Sequence, residues 1–142
     1  MILPRHVICA LGSWTSLTLV SRIVENAGAG FLLDHGHSQL EPDPRMPGAF
    51  AAAADRVKPT LQREDRNAIL AHRAVVYILS PKLPAAEAQD VSAQTLALVG
   101  ALLDGGAVAV KAESSGIAHG AARWRQLAAR AARELEDGFY VN

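Results

Sequence analysis

Lys111, Glu113, Ser114, Ser115 and His119 fall within nine consecutive residues and form the densest group of chemically able side chains in the chain. A lysine ammonium can clamp an anion or act as a nucleophile, a glutamate can take a proton, a serine hydroxyl can donate or attack, and a histidine titrates near neutral pH. Their placement follows from the apolar run over residues 107–112, which reads as a strand. Alternation sets Val108 and Val110 on one face and Ala107, Ala109 and Lys111 on the other, with Glu113 continuing the lysine side. Lys111 and Glu113 are thus expected side by side. Ser114-Ser115-Gly116 then stands at the strand's carboxyl end, where open α/β sheets bind ligands, and His119 is expected at the start of the helix that follows. The plainer interpretation is an exposed ion pair followed by helix-start serines. Lys111, Glu113, Ser114, Ser115 and His119 are kept as binding candidates, and no residue is assigned as catalytic.

Other candidates are thinner. His35-Gly36-His37 offers two imidazoles, with Asp34, Glu41 and Asp43 nearby, but zinc asks for three or four ligands at a recognised spacing and this pattern has none. We expect a polar turn and no metal. The single cysteine, Cys9, sits in Val7-Ile8-Cys9-Ala10-Leu11 and is expected to pack as a small buried hydrophobe. Asp43-Pro44-Arg45 reads as a turn with a charge pair in reach. Gly105-Gly106 follows a helix and so makes a turn, not a phosphate cradle, and Ser13, Ser80, Ser114 and Ser115 lack the Gly-x-Ser-x-Gly elbow of a hydrolase. No cofactor is implied.

The elements that must position these groups can be read in order. Residues 6–11 form a first strand, residues 14–27 an amphipathic helix that Ser13 or Thr15 could cap, and residues 30–34 a second strand. Three prolines and two glycines make residues 35–48 a loop. Short helices are expected over residues 49–56 and 62–73, then the strongest strand over residues 74–80, rich in β-branched and aromatic side chains. A long helix over residues 85–103 ends at Gly105-Gly106. The strand at 107–112 leads into a last helix with Trp124, Leu127, Ala128, Ala131 and Leu135 inward, and residues 139–142 begin a further strand. Two βαβ units in one domain over residues 1–142 predict an α/β protein of the α+β sandwich kind in a ferredoxin-like arrangement. Right-handed crossovers would place the helices on one face of a small sheet and leave the other face or an edge open to bind or dimerise.

Composition narrows the partners. Lys plus Arg and Asp plus Glu number 14 each among 142 residues, so no overall charge favours nucleic acid or an anionic membrane. The arginines of the last helix are offset by Glu134, Glu136 and Asp137. No apolar run reaches the roughly 20 residues that cross a bilayer, and the first residues lack a secretory leader pattern. A cytoplasmic protein is expected, with a protein partner or a second copy of the chain as what it binds.

Several short patterns carry a resemblance: Val7-Ile8-Cys9-Ala10-Leu11-Gly12-Ser13-Trp14, Asp43-Pro44-Arg45-Met46 followed by Ala49-Phe50, Val75-Val76-Tyr77-Ile78-Leu79, and Gly105-Gly106 leading into Val110-Lys111-Ala112-Glu113-Ser114-Ser115-Gly116. Together they resemble the bacterial family known as domain of unknown function 4261, over most of the chain. The family brings no established activity with it. Its members are longer at the C-terminus, so the resemblance implies either a shortened member or a fragment whose last strand, begun at Phe139-Tyr140-Val141-Asn142, has lost its continuation. The expectation for function is a small non-catalytic bacterial protein-binding module, a toxin-neutralising or secretion-associated accessory of the immunity-protein kind. The alternative is an enzyme or small-anion binder using Lys111, Glu113 and His119 at a strand end.

Overall fold

A computed structural model describes residues 5–54, 61–82, 88–113 and 117–136. In chain order these hold β1 (Val7–Gly12), α1 (Thr18–Ala27), β2 (Leu32–Leu33), α2 (Met46–Ala54), α3 (Arg63–Leu70), β3 (Ala74–Leu79), α4 (Ala88–Asp104), β4 (Ala109–Ala112), β5 (Ile117–Gly120) and α5 (Ala121–Glu136). The strands make one antiparallel sheet ordered β2-β3-β1-β4-β5. β1 and β2 both run against β3, so they are parallel to each other and α1 joins them. β3 and β4 stand in the same relation to β1 and are joined by α4. The order β4-β1-β3-β2 with these two crossovers is the ferredoxin-like arrangement of an α+β sandwich. β5 extends the sheet beyond β4.

The two central strands are apolar on both sides because both sides are covered. Ile8, Ala10, Val76, Ile78 and Val110 meet Val20 and Val24 of α1, Leu98, Val99 and Leu102 of α4, and Trp124 of α5 in one buried cluster. This is the crossover face. Cys9, Leu11, Val75, Ala109 and Ala118 point the other way and meet Met46 and Phe50 of α2 with Leu61 and Ile69. Burying a Val, Leu or Phe side chain is worth about 1.5–3 kcal/mol each, so the two clusters fix the register. A one-residue slip of β1 would exchange them.

That second cluster corrects one expectation. The crossover helices share a face as predicted, but the opposite face is not left bare, since α2 and α3 pack on part of it. The sequence of α2, Met-Pro-Gly-Ala-Phe followed by alanines, is apolar nearly all round, and such a helix is stable only when it packs. It begins at Met46, inside the expected loop, because proline is tolerated in a first helical turn and Pro47 stands there. Asp43 prepares that start by accepting the Arg45 backbone N–H at Oδ1 (2.9 Å), while its carbonyl accepts the Met46 N–H (3.0 Å).

Three boundaries also differ from expectation. α1 starts at Thr18, with Leu17 as its cap residue and no side-chain cap bond, because Trp14 is used elsewhere. Its ring lies against Gly12, and its Nε1–H donates to the Gly105 carbonyl (2.9 Å), tying the β1–α1 turn to the end of α4. Gly106 there takes φ +111°, a positive φ that glycine adopts without steric cost, and so makes the turn expected at the Gly-Gly pair. β2 shrinks to two residues, since residues 35–38 turn away before Gln39 rejoins the sheet by exchanging backbone hydrogen bonds with Val75. Finally, residues 117–120 form β5 where the start of the last helix was expected. The strand expected at residues 139–142 lies outside the described residues.

Candidate functional site

Cross-strand register decides which side chains can meet. Cys9 lies opposite Tyr77 on one side and Lys111 on the other, and Lys111 lies opposite Ala118. Residues paired in this way share a face. The neighbouring row, Val76, Ala10, Val110 and His119, faces the crossover helices. Lys111 and Glu113 therefore stand on the α2/α3 face and His119 on the opposite one.

The expected constellation is thus divided. Lys111 Nζ and Glu113 Oε1 are 3.0 Å apart, as strand alternation predicted. His119 is buried beside Trp124, with ring centroids 5.4 Å apart and planes at 74°, and Trp124 is held by its Nε1–H donating to the Val110 carbonyl (2.8 Å). Burial pushes the His119 pKa below its ordinary value, and the Arg123 charge acts in the same sense against a smaller opposing effect of Asp65. General acid–base work needs groups within hydrogen-bond reach, and a sheet separates this imidazole from the lysine and glutamate. The cause is the β4–β5 hairpin: as a helix start, residue 119 would have lain beyond the strand end, whereas in β5 its face is set by pairing with Val110. Ser114 and Ser115 lie outside the described residues.

On the α2/α3 face exposure rises in three cross-strand rows. Leu11, Val75 and Ala109 are sealed beneath α2 and α3. In the next row Cys9 is buried, Tyr77 is half-buried, and the Lys111 side chain is 12% exposed, its ammonium 5.7 Å from the centre of the Phe50 ring. The last row holds Leu79 and Val7, both half-buried, with Leu32 paired to Leu79 and 52% exposed. Glu113, whose backbone N–H donates to the Val7 carbonyl (2.8 Å), closes it. Apolar side chains here surround a tyrosine at the edge of the helical cover.

The charges around this surface are paired. Arg45 grips Asp43 through Nε to Oδ1 (3.1 Å) and Nη2 to Oδ2 (2.9 Å), and holds its carboxyl below the usual carboxylate range. His72, which sequence reasoning passed over, fixes that turn from beneath: its Nε2 accepts the Asp43 backbone N–H (2.9 Å), so its proton sits on Nδ1 and donates to the Ile69 carbonyl. No local sequence signal marks this contact, which joins residues far apart in the chain. His37 meets Asp34 Oδ2 at 2.8 Å, and its ring forms a T-shaped contact with that of Tyr77, centroids 6.4 Å apart. This lowers the Asp34 pKa, the side-chain bond to His37 being the main cause. Among the described residues no group of three or more His, Cys, Asp and Glu could hold a metal ion.

Cys9 is closed to chemistry. It is fully buried, and burial pushes its thiol up to about 12, which the neighbouring Tyr77 hydroxyl and Lys111 ammonium offset only in part. The Tyr77 hydroxyl is likewise pushed upward, first by burial and then by Cys9, so it stays protonated and works as a hydrogen-bonding tip on an apolar ring. The sequence marks Tyr77 only as a strand residue. Its place as the polar-tipped member of Ala-Val-Val-Tyr-Ile-Leu was the available signal.

No helix among the described residues is long and apolar enough to cross a membrane. Comparison with protein-family models, with curated proteins and with solved structures returns no match, so geometry alone carries the functional argument.

Proposed function

We propose that the chain is a non-catalytic protein-binding module, and that the open end of the α2/α3 face is its contact surface. One observation carries this: among the described residues, Leu32, Leu79 and Val7 form an uncovered apolar row beside Tyr77. Tyrosine and arginine are favoured in the energetic centres of protein contacts; Tyr77 borders this row, and Arg45 lies within electrostatic reach of Tyr77. Its flanks carry both signs, as Asp43 with Arg45, Lys111 with Glu113 and Asp34 with His37. That pattern suits a folded protein presenting an apolar centre and mixed charges, and it suits a polyanion poorly. Membership of domain of unknown function 4261, a bacterial cytoplasmic setting and a toxin-neutralising or secretion-associated role belong to the same proposal. The division of Lys111 and Glu113 from His119 disfavours the enzyme alternative.

The test is stoichiometric capture from native lysate by the wild-type chain, by Leu32→Asp and by Leu19→Asp. Leu19 lies on α1, away from the surface, and is 44% exposed. A partner, or a second copy, held by wild type and Leu19→Asp and lost in Leu32→Asp supports the proposal. Capture indifferent to Leu32, or no stoichiometric protein at all, sinks it.

A further inference from the structure

On the crossover face, Ile8, Leu96, Val99, Ala112 and Trp124 line a groove of about 280 Å³. Its walls are apolar, and the polar groups set into them are already committed. The Trp124 Nε1–H is bonded to the Val110 carbonyl (2.8 Å), and the Thr95 hydroxyl donates to the Val91 carbonyl (2.7 Å). At the rim the situation differs. His6 Nε2 and Ser92 Oγ meet each other at 3.2 Å on the exposed side, a long contact between two side chains that could both donate to a third group.

The groove therefore suits a molecule that is apolar along its body and carries a head able to accept hydrogen bonds from the Ser92 hydroxyl and the His6 imidazole. Size is limited as well. With a water-sized atom taking roughly 30 Å³, the groove holds about nine such atoms. A head with two acceptor oxygens could take a hydrogen bond from the Ser92 hydroxyl and another from the His6 imidazole at once. Ligand sites of this kind combine apolar walls with a few convergent polar groups.

We propose that this groove binds a short aliphatic carboxylate, of about six to eight carbons, with its chain along Ile8, Leu96, Val99 and the Trp124 ring and its carboxylate at Ser92 and His6. The site lies on the opposite side of the sheet from the surface assigned to protein contact. It stands or falls separately from that assignment.

Octanoate titrated into the full chain provides the test, followed by the two indole N–H signals in ¹⁵N–¹H spectra. The Trp124 signal shifts saturably, while that of Trp14, bonded to Gly105 at the other end of β1, stays in place. Ser92→Ala, on an exposed helix surface, weakens binding about fivefold, the loss of one hydrogen bond. Ala112→Leu fills the groove and abolishes binding, with a urea midpoint as the control for folding. Octylamine, which brings a donor head in place of an acceptor, binds at least about tenfold more weakly. A Trp124 signal that does not saturate, an affinity indifferent to Ser92→Ala, or octylamine binding equal to octanoate overturns the proposal.

Discussion

On the crossover face, the row Val76, Ala10 and Val110 is fully buried beneath α1, α4 and α5, and the cover opens at the groove by Ile8 and Ala112. On the α2/α3 face, the adjacent row of the same strands, Tyr77, Cys9 and Lys111, sits where the helical cover stops, and the row after it, Leu79 and Val7, is only half-buried. The strands are shared, so the contrast arises from what packs on them. α1 and α4 are crossovers that topology forces against the sheet, and α5 packs beside α4. α2 and α3 come from a long β2–β3 connection, are eight or nine residues each, and reach only one end. A face closed by obligatory elements makes a core, and a face partly closed by an insertion keeps a surface.

That contrast can be broken experimentally. The largest effect is expected from truncating the closed face. Leu102→Ala should cost about 2–5 kcal/mol in urea unfolding, whereas Leu32→Ala at the open end should cost under about 1 kcal/mol. Equal losses would mean that the two faces are not differently closed. Next comes Gly120, whose Cα abuts the Asp65 carboxylate so closely that an added methyl would collide with it. Gly120→Ala should destabilise by about 1–3 kcal/mol, and Asp65→Ala in the same chain should recover part of it. Strict additivity of the two changes would dismiss the contact.

A smaller, pH-dependent effect separates the faces again. The folded-state pKa of His119 is lowered, so the unfolded chain binds the proton first. This contribution to stability is complete above the unfolded value of about 6.5 and is lost as pH falls below it. The urea midpoint should drop between pH 7.5 and pH 5.5, and drop less in His119→Phe. A midpoint that rises on acidification would show the imidazole to be favoured in its charged form. The smallest change is expected at Lys111. Its pairing with Glu113 is half-desolvated, so Lys111→Met should alter stability by less than about 1 kcal/mol in either direction. A loss above about 3 kcal/mol would make the pair part of the core.

Much of the fold was legible, because its central strands and crossover helices announce themselves. The run around Cys9, bounded by Pro4 and Gly12, and the β-branched run from Ala74 to Leu79, followed by Pro81, are short apolar segments with the breakers that mark buried strands. The periodicity of α1 and α4 leaves little choice of inward side. β5 was hidden because Ile-Ala-His-Gly is four residues long, and Ser-Ser-Gly before it reads equally as a helix start or a hairpin turn. α2 was hidden in part by Pro47 and Gly48, which suggest a loop until Phe50 finds a face to bury. For the candidate site, the meeting of Lys111 and Glu113 followed from a period of two. The face taken by His119 depended on hairpin register, and the exposure of Tyr77 on where α2 ends, which are tertiary facts with no local trace.

The central claim is that the molecule makes protein contact through the open end of the α2/α3 face and not through the crossover helices. Methyl NMR of the chain with and without its captured protein tests this most directly. We expect the signals of Val7, Leu32 and Leu79 to shift or broaden while those of Leu19, Val24 and Leu102 hold still. Perturbation confined to the latter group would contradict the claim.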